Sequence, residues 1–168
     1  MAHNVTSSVV SDQDATPIAK VNVLKKGGVS RRAYGSLTVV ATTAAQTMCF
    51  VRVPVRARIA DVLATNLTGM GDGSIKLGFF RPSGGIAISD AVISAAVNLG
   101  TARTTPTSVL TAPSVANRAK SIADWLATEI GTAGATNDVE VDVVASVVTV
   151  STGTAVAVGI EVAYVLPE

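Results

Sequence analysis

From Val139 to Val165, apolar residues recur at every second position over most of the run, and this periodicity constrains the fold of the chain more than any other feature. Val139, Val141 and Val143 alternate with Asp138, Glu140 and Asp142, and farther on Val156, Val158, Ile160, Val162 and Tyr164 share one parity. A period of two belongs to a strand, whose successive side chains point to opposite faces. The region also holds an uncharged run of membrane-spanning length, Val143 to Ile160, bounded by Asp142 and Glu161. Its middle, Ser151-Thr152-Gly153-Thr154, is a turn signal. The run therefore reads as a hairpin, Val147 to Val150 pairing with Ala155 to Val165, and not as a membrane helix.

The rest of the chain supports the same class. Hydrophobic residues make up 48% of the sequence but aromatics only 4%, so the apolar content is mostly Val and Ala. Val and Thr are stiff at χ1 and suit a pleated surface. Residues 1–16 are polar and read as a flexible arm; Pro17 to Leu24 is a short strand candidate, followed by a basic glycine loop up to Arg32. Leu37 to Thr43 and Thr47 to Val53 are β-rich, with Pro54 marking an edge or a bend. Arg56 to Thr65 alternates with Ala57, Ile59 and Leu63 inward, and Ser74 to Phe80 places Ile75, Leu77 and Phe79 on one face. Turns are expected at Thr68 to Gly73 and Arg81 to Gly85, and Asp90 to Pro113 is less regular. Ser121 with Asp124 forms a capping box for a helix that carries Ile122, Leu126 and Ile130 and stops at Gly131, with Trp125 as a packing anchor. The expected fold is all-β: a jelly-roll-like antiparallel β-sandwich with one short helix, a single domain over 17–168.

The chemical inventory points away from catalysis. His3 is the only histidine and Cys49 the only cysteine, so neither a histidine-based triad nor a thiolate zinc cluster can form within one chain. No phosphate-loop, nucleophile-elbow or metalloprotease motif occurs, and Gly69, Gly71 and Gly73 have no Lys-Ser/Thr after them. Asp72 and Asp90 lack the oxygen-ligand spacing of a calcium loop. No cofactor or metal is expected. The N-terminus lacks the layout of a signal peptide, so the sequons at Asn4 and Asn66 read as chance matches.

Charge is scarce: 13 basic and 12 acidic residues make up 15% of the chain, against roughly 25% in ordinary soluble proteins. The faces of such a sandwich are either weakly polar on a monomer or covered in an assembly. Two basic features stand out. Lys25, Lys26, Arg31 and Arg32 frame a glycine loop, and Arg52, Arg56 and Arg58 share a parity that puts them on one strand face unless Pro54 breaks the register. With net charge +1 and no interleaved aromatics, specific nucleic-acid binding is not expected. Docking onto an acidic protein surface is one reading and scattered solubilising charge the other; the stripe Asp138, Glu140 and Asp142 on a second subunit is a candidate counterpart.

Certain runs carry a family likeness. Ala64 to Gly69, then Gly73-Ser74-Ile75-Lys76-Leu77-Gly78-Phe79-Phe80, then Arg81-Pro82-Ser83-Gly84-Gly85, with Ser89-Asp90-Ala91, Trp125 and Tyr164 farther on, resemble the capsid cement or decoration proteins of tailed bacteriophages, in the family that includes a Bordetella podophage cement protein. The likeness spans roughly Val51 to Leu166; Phe79-Phe80 stands where that family has a tyrosine, and Ile93 where it has an aromatic. The resemblance implies a jelly-roll subunit on the capsid exterior that straddles neighbouring major capsid proteins. It also implies a homo-oligomer, a dimer in preference to a trimer. A tail or fibre protein would show repeats or a coiled coil, and a carbohydrate-binding module would show exposed aromatics on a strand face; neither is evident.

Overall fold

The computed structural model describes residues 29–39, 46–69, 71–113, 115–126, 140–149 and 155–166. The arm over 1–16, the strand candidate Pro17 to Leu24, and Lys25, Lys26 and Asp138 lie outside the described residues.

Among the described residues, eight strands alternate in direction: β1 (Val29–Val39), β2 (Thr47–Pro54), β3 (Arg58–Asn66), β4 (Ser74–Phe80), β5 (Ala87–Asn98), β6 (Arg103–Ser108), β7 (Glu140–Thr149) and β8 (Val156–Leu166). They form two four-stranded sheets, ordered β1-β8-β3-β6 and β2-β7-β4-β5. The first strand thus pairs with the eighth, the second with the seventh, the third with the sixth and the fourth with the fifth. This is one long antiparallel hairpin rolled into two layers, the jelly roll. The all-β expectation holds, and so does the period-two reading of β8: Val156, Val158, Ile160, Val162 and Tyr164 are all buried. They meet Val141, Val143, Ala145 and Val147 of β7 and Ile75, Leu77 and Phe79 of β4 in one core between the sheets.

Several local expectations are corrected. The run from Val143 to Ile160 is two strands but not a hairpin, because β7 pairs with β2 and β4 while β8 pairs with β1 and β3. The connection crosses from one layer to the other, which the turn residues alone do not reveal. Arg31 and Arg32 stand on β1 and not in a loop. Leu63 does not follow Ile59 inward: the β3–β8 register shifts between Ile59 and Asp61, and this bulge turns Val62, Ala64 and Asn66 to the core instead. Asp90 to Pro113 contains most of β5 and all of β6.

The β5 alternation is blurred by its pairing. Leu77 lies opposite Ser94 and Phe79 opposite Ser89, so β5 carries extra residues against two steps of β4. The surplus folds over the outer face of β4 at Gly78, where a Cβ would overlap the Ser89 carbonyl oxygen and lie 2.5 Å from Asp90 Cα. Only glycine fits there. In the β4–β5 turn, Gly84 (φ 81°) and Gly85 (φ 60°) take the left-handed conformation that glycine adopts without strain.

Between β6 and β7, a helical turn α1 (Val115–Arg118) precedes α2 (Ile122–Trp125). Ser121 caps α2 as expected, its hydroxyl accepting from Asp124 N–H at 3.1 Å. Residues 127–131 of the expected helix are outside the described set. Ile122 and Leu126 are buried, and Trp125 packs edge-on against Phe79 with ring centroids 5.6 Å apart.

Candidate interaction surface

Strand alternation sorts the residues by pole. The starts of β1, β3, β5 and β7 and the ends of β2, β4, β6 and β8 lie at one end of the sandwich, and the opposite termini lie at the other. At or beside the first pole stand Arg31, Arg32, Arg52, Arg56, Arg58, Arg81, Arg118 and Lys120, together with Asp61, Asp124, Glu140, Asp142 and Glu161. Asp90, fourth in β5, belongs to this pole as well, which leaves Lys76 and Arg103 against Asp72 elsewhere. The first pole thus carries eight basic against six acidic described residues, two of the three excess positive charges.

The expected arginine face is not a face of one strand. Arg52 ends β2 in one sheet, Arg58 begins β3 in the other, and Arg56 is exposed in the turn between them. Pro54 ends the strand pairing, opposite Glu140, and the chain then crosses layers. Topology nevertheless brings these residues to the same pole as Arg31 and Arg32, since Ser30, Val165 and Arg58 share one cross-strand row.

The acidic stripe is likewise reorganised. Asp142 is not on a solvated face: β7 is a central strand, and Asp142 is fully buried between Arg52 and Phe80 in the register. Its carboxylate accepts from Arg52 Nε at 2.7 Å and from Arg52 Nη2 at 3.3 Å, a two-pronged pair within the chain. The hydrogen bond to Asp142 is the main reason the Arg52 guanidinium is held above its ordinary pKa. Glu140 is exposed at the start of β7. Next to this pair, Cys49, Phe80 and Val144 form a small apolar cluster on the outer side of the sheet. Burial, and after it the Asp142 carboxylate, pushes the Cys49 thiol up to about 12, so Cys49 is a neutral, inert side chain.

The β2–β3 turn that carries Arg56 is held on both sides. Ala57 N–H donates to Pro54 O at 3.0 Å, and the first amides of α2 donate to the turn, Ile122 N–H to Ala57 O at 2.9 Å and Ala123 N–H to Val55 O at 2.8 Å. These bonds satisfy helix-start donors that would otherwise lack partners. Arg118 reaches back to Leu110 O at 2.7 Å. Arg32 pairs with Glu161 at 2.8 Å in an exposed contact. Among the described residues, Arg56, Arg58 and Lys120 make no ion pair. Sequence reasoning missed Arg81, Arg118 and Lys120. They follow β4 and β6, and in this topology those connections come to the same pole as the β2–β3 turn.

The opposite pole is built from backbone. Asn66 is buried and its amide donates to Thr68 O at 2.9 Å and Thr101 O at 3.0 Å, tying the β3–β4 and β5–β6 loops together. Leu67 and Val148 are exposed on this side. Among the described residues, no group of three or more His, Cys, Asp or Glu comes together, and no helix is long and apolar enough to cross a membrane.

No family model matches the chain, and no curated protein matches it. Among solved structures, it is similar to a chain of the capsid of Ralstonia phage GP4, with 14% identity and a TM-score of 0.63 over 98% of each chain. A chain of the acid-stable capsid of Helicobacter pylori bacteriophage KHP30 matches at 13% identity and TM-score 0.48, over 84% of this chain and 91% of that one. A chain of the cyanophage Pam1 capsid asymmetric unit matches at 17% identity and TM-score 0.49, over 90% of this chain and 100% of that one. The first likeness shows a common fold over nearly the whole of both chains.

Proposed function

We propose that the chain is a structural subunit of a bacteriophage head: a cement or decoration protein that binds across neighbouring major capsid proteins on the shell exterior and stabilises the assembled capsid. The observation that carries this reading is the end-to-end fold likeness to a chain of the Ralstonia phage GP4 capsid. The cement-family resemblance of the Ala64 to Gly85 region supports the finer assignment. The mechanism is mass action. A protein that binds only the assembled lattice stabilises that lattice, and many copies multiply a modest contact energy. No catalytic step is part of this role. Self-association, as a dimer in preference to a trimer, fits a chain with so few charges for its surface. The test is quantitative mass spectrometry of purified virions. A fixed copy number per particle, lost together with head stability when the gene is deleted, is the expected result; absence from washed virions would overturn the reading.

A further inference from the structure

The cations left without ion-pair partners at the charged pole share a rigid support. Arg56 sits on a turn closed by its own hydrogen bond and clamped by the first two amides of α2. Lys120 lies two residues before α2, and Arg58 opens β3 directly after the turn. Arg56 and Lys120 are exposed and Arg58 is half-buried. A guanidinium presents a planar fork that matches a carboxylate, and its binding costs less ordering when the backbone beneath is already fixed.

We infer that this pole is a docking surface for a carboxylate-rich protein surface, with Arg56, Arg58 and Lys120 as the contacting cations. The choice of protein over nucleic acid comes from the surroundings. Asp61, Asp124 and Glu140 are interspersed with the cations and would repel a continuous phosphate backbone. The aromatics near the pole are not available for stacking on bases: Tyr164 is buried and Trp125 is packed on Phe79. A folded partner of mixed charge with an acidic excess meets both conditions. The inference rests on the capsid reading only for where such a partner is met, namely an acidic patch on the outer shell.

Two binding measurements test it on the full chain. In the first, fluorescence anisotropy follows labelled poly-L-glutamate and a labelled DNA duplex, each at about 0.03 M and 0.3 M salt. Wild type should bind polyglutamate at low salt and release it at high salt, and the variant Arg56→Glu/Arg58→Glu/Lys120→Glu should bind at least roughly tenfold more weakly at low salt. Leu67→Asp/Val148→Asp, at the other pole, should bind like wild type. Circular dichroism and thermal melting check that both variants fold; if the triple variant does not, single Arg56→Glu and Lys120→Glu variants replace it. No binding of polyglutamate by wild type, tighter binding of DNA than of polyglutamate, or equal loss in both variants overturns the inference. The second measurement is occupancy of virions stripped of this chain. Equal occupancy by wild type and the triple variant overturns the inference while leaving the capsid reading intact. If wild-type chain is absent from virions but binds polyglutamate through Arg56, Arg58 and Lys120, the surface stands and the capsid reading falls.

Discussion

Replacing Arg52 with methionine takes a two-pronged partner from a buried carboxylate, and the cost can be worked from the pair's surroundings. Asp142 has 0% exposure, so the hydrogen bonds lost with Arg52 are not replaced by water. Removing one partner of a fully buried ion pair costs about 3–5 kcal/mol. Arg52 retains 34% of its side-chain exposure, so solvent already screens part of the attraction, which lowers the expected cost of Arg52→Met to about 2–3 kcal/mol. With a urea slope of about 2 kcal/mol per M, the unfolding midpoint falls by roughly 1–1.5 M at unchanged slope. Adding Asp142→Val removes the buried carboxylate as well and extends the neighbouring Cys49–Phe80–Val144 cluster. The double variant should therefore recover at least half of the loss, since well-packed apolar replacements of buried pairs are often neutral. The assay is a double-mutant cycle from urea unfolding. A single-variant cost below about 0.5 kcal/mol, or strictly additive losses, would refute the assignment of Asp142 as a buried charge neutralised by Arg52.

Gly78→Ala should destabilise by about 1–3 kcal/mol or more, because its Cβ meets β5 backbone at Ser89 and Asp90 that cannot rotate away. Gly159→Ala, whose Cβ would come nearest to side-chain atoms, Thr65 Oγ1 at 2.6 Å, Tyr34 Oη at 2.7 Å and Tyr34 Cε2 at 3.1 Å, should cost less than Gly78→Ala, since those side chains can shift; thermal melts of the two variants side by side check the order. Cys49 should be inert to an aromatic disulfide reagent in the folded protein at pH 8 and react on unfolding. Its folded pKa lies above its ordinary value of 9.0, so the stability gained by keeping the thiol neutral is whole below pH 9 and is lost as pH rises towards about 12; urea midpoints of wild type and Cys49→Ala across that window measure it. Ser121→Ala, which removes the α2 cap, should cost about 1 kcal/mol by thermal or urea unfolding.

How much was legible in the sequence follows from which forces act locally. The β8 alternation was plain because all its inward positions face a single core and its pairing with β1 runs without a shift. The Ser121 cap was legible because a side chain bonds an amide three residues away. Layer assignment was not legible. Nothing in Ser151 to Thr154 says whether the chain doubles back within a sheet or crosses between sheets, because that choice is made by β2 and β4 closing around β7. Asp142 was hidden too: an acidic residue alternating with valines reads as solvent-facing, whereas β7 is buried on both faces from Val141 to Val147. β5 and β6 were hidden for different reasons. Extra residues break the β5 alternation, and β6 is an edge strand, exposed along most of its length, with no apolar parity to detect. For the arginines, parity was the wrong guide and strand direction the right one, since direction decides which pole a turn occupies.

The edges of the sandwich bear on how such a chain can make contacts. A charge-poor β protein with open edges would add strands edge to edge. Among the described residues, each of the four edge strands carries a feature that discourages this. Pro54 ends β2 and Pro106 interrupts β6, each lacking an amide to donate. β5 is bent by its surplus residues over Gly78, and β1 bears Arg31 and Arg32 near its start. The outer face of β1 and β8 is lined by small residues, with Ser36, Thr38 and Ala157 beside the Tyr34 ring over Gly159. With backbone pairing discouraged at the edges, association has to come from side chains on faces and poles, where geometry and charge select the partner. Most of the described positive excess lies at one such pole, Arg56 on a turn held by α2, so contacts made there are directional and weaken with salt in a way that strand addition would not.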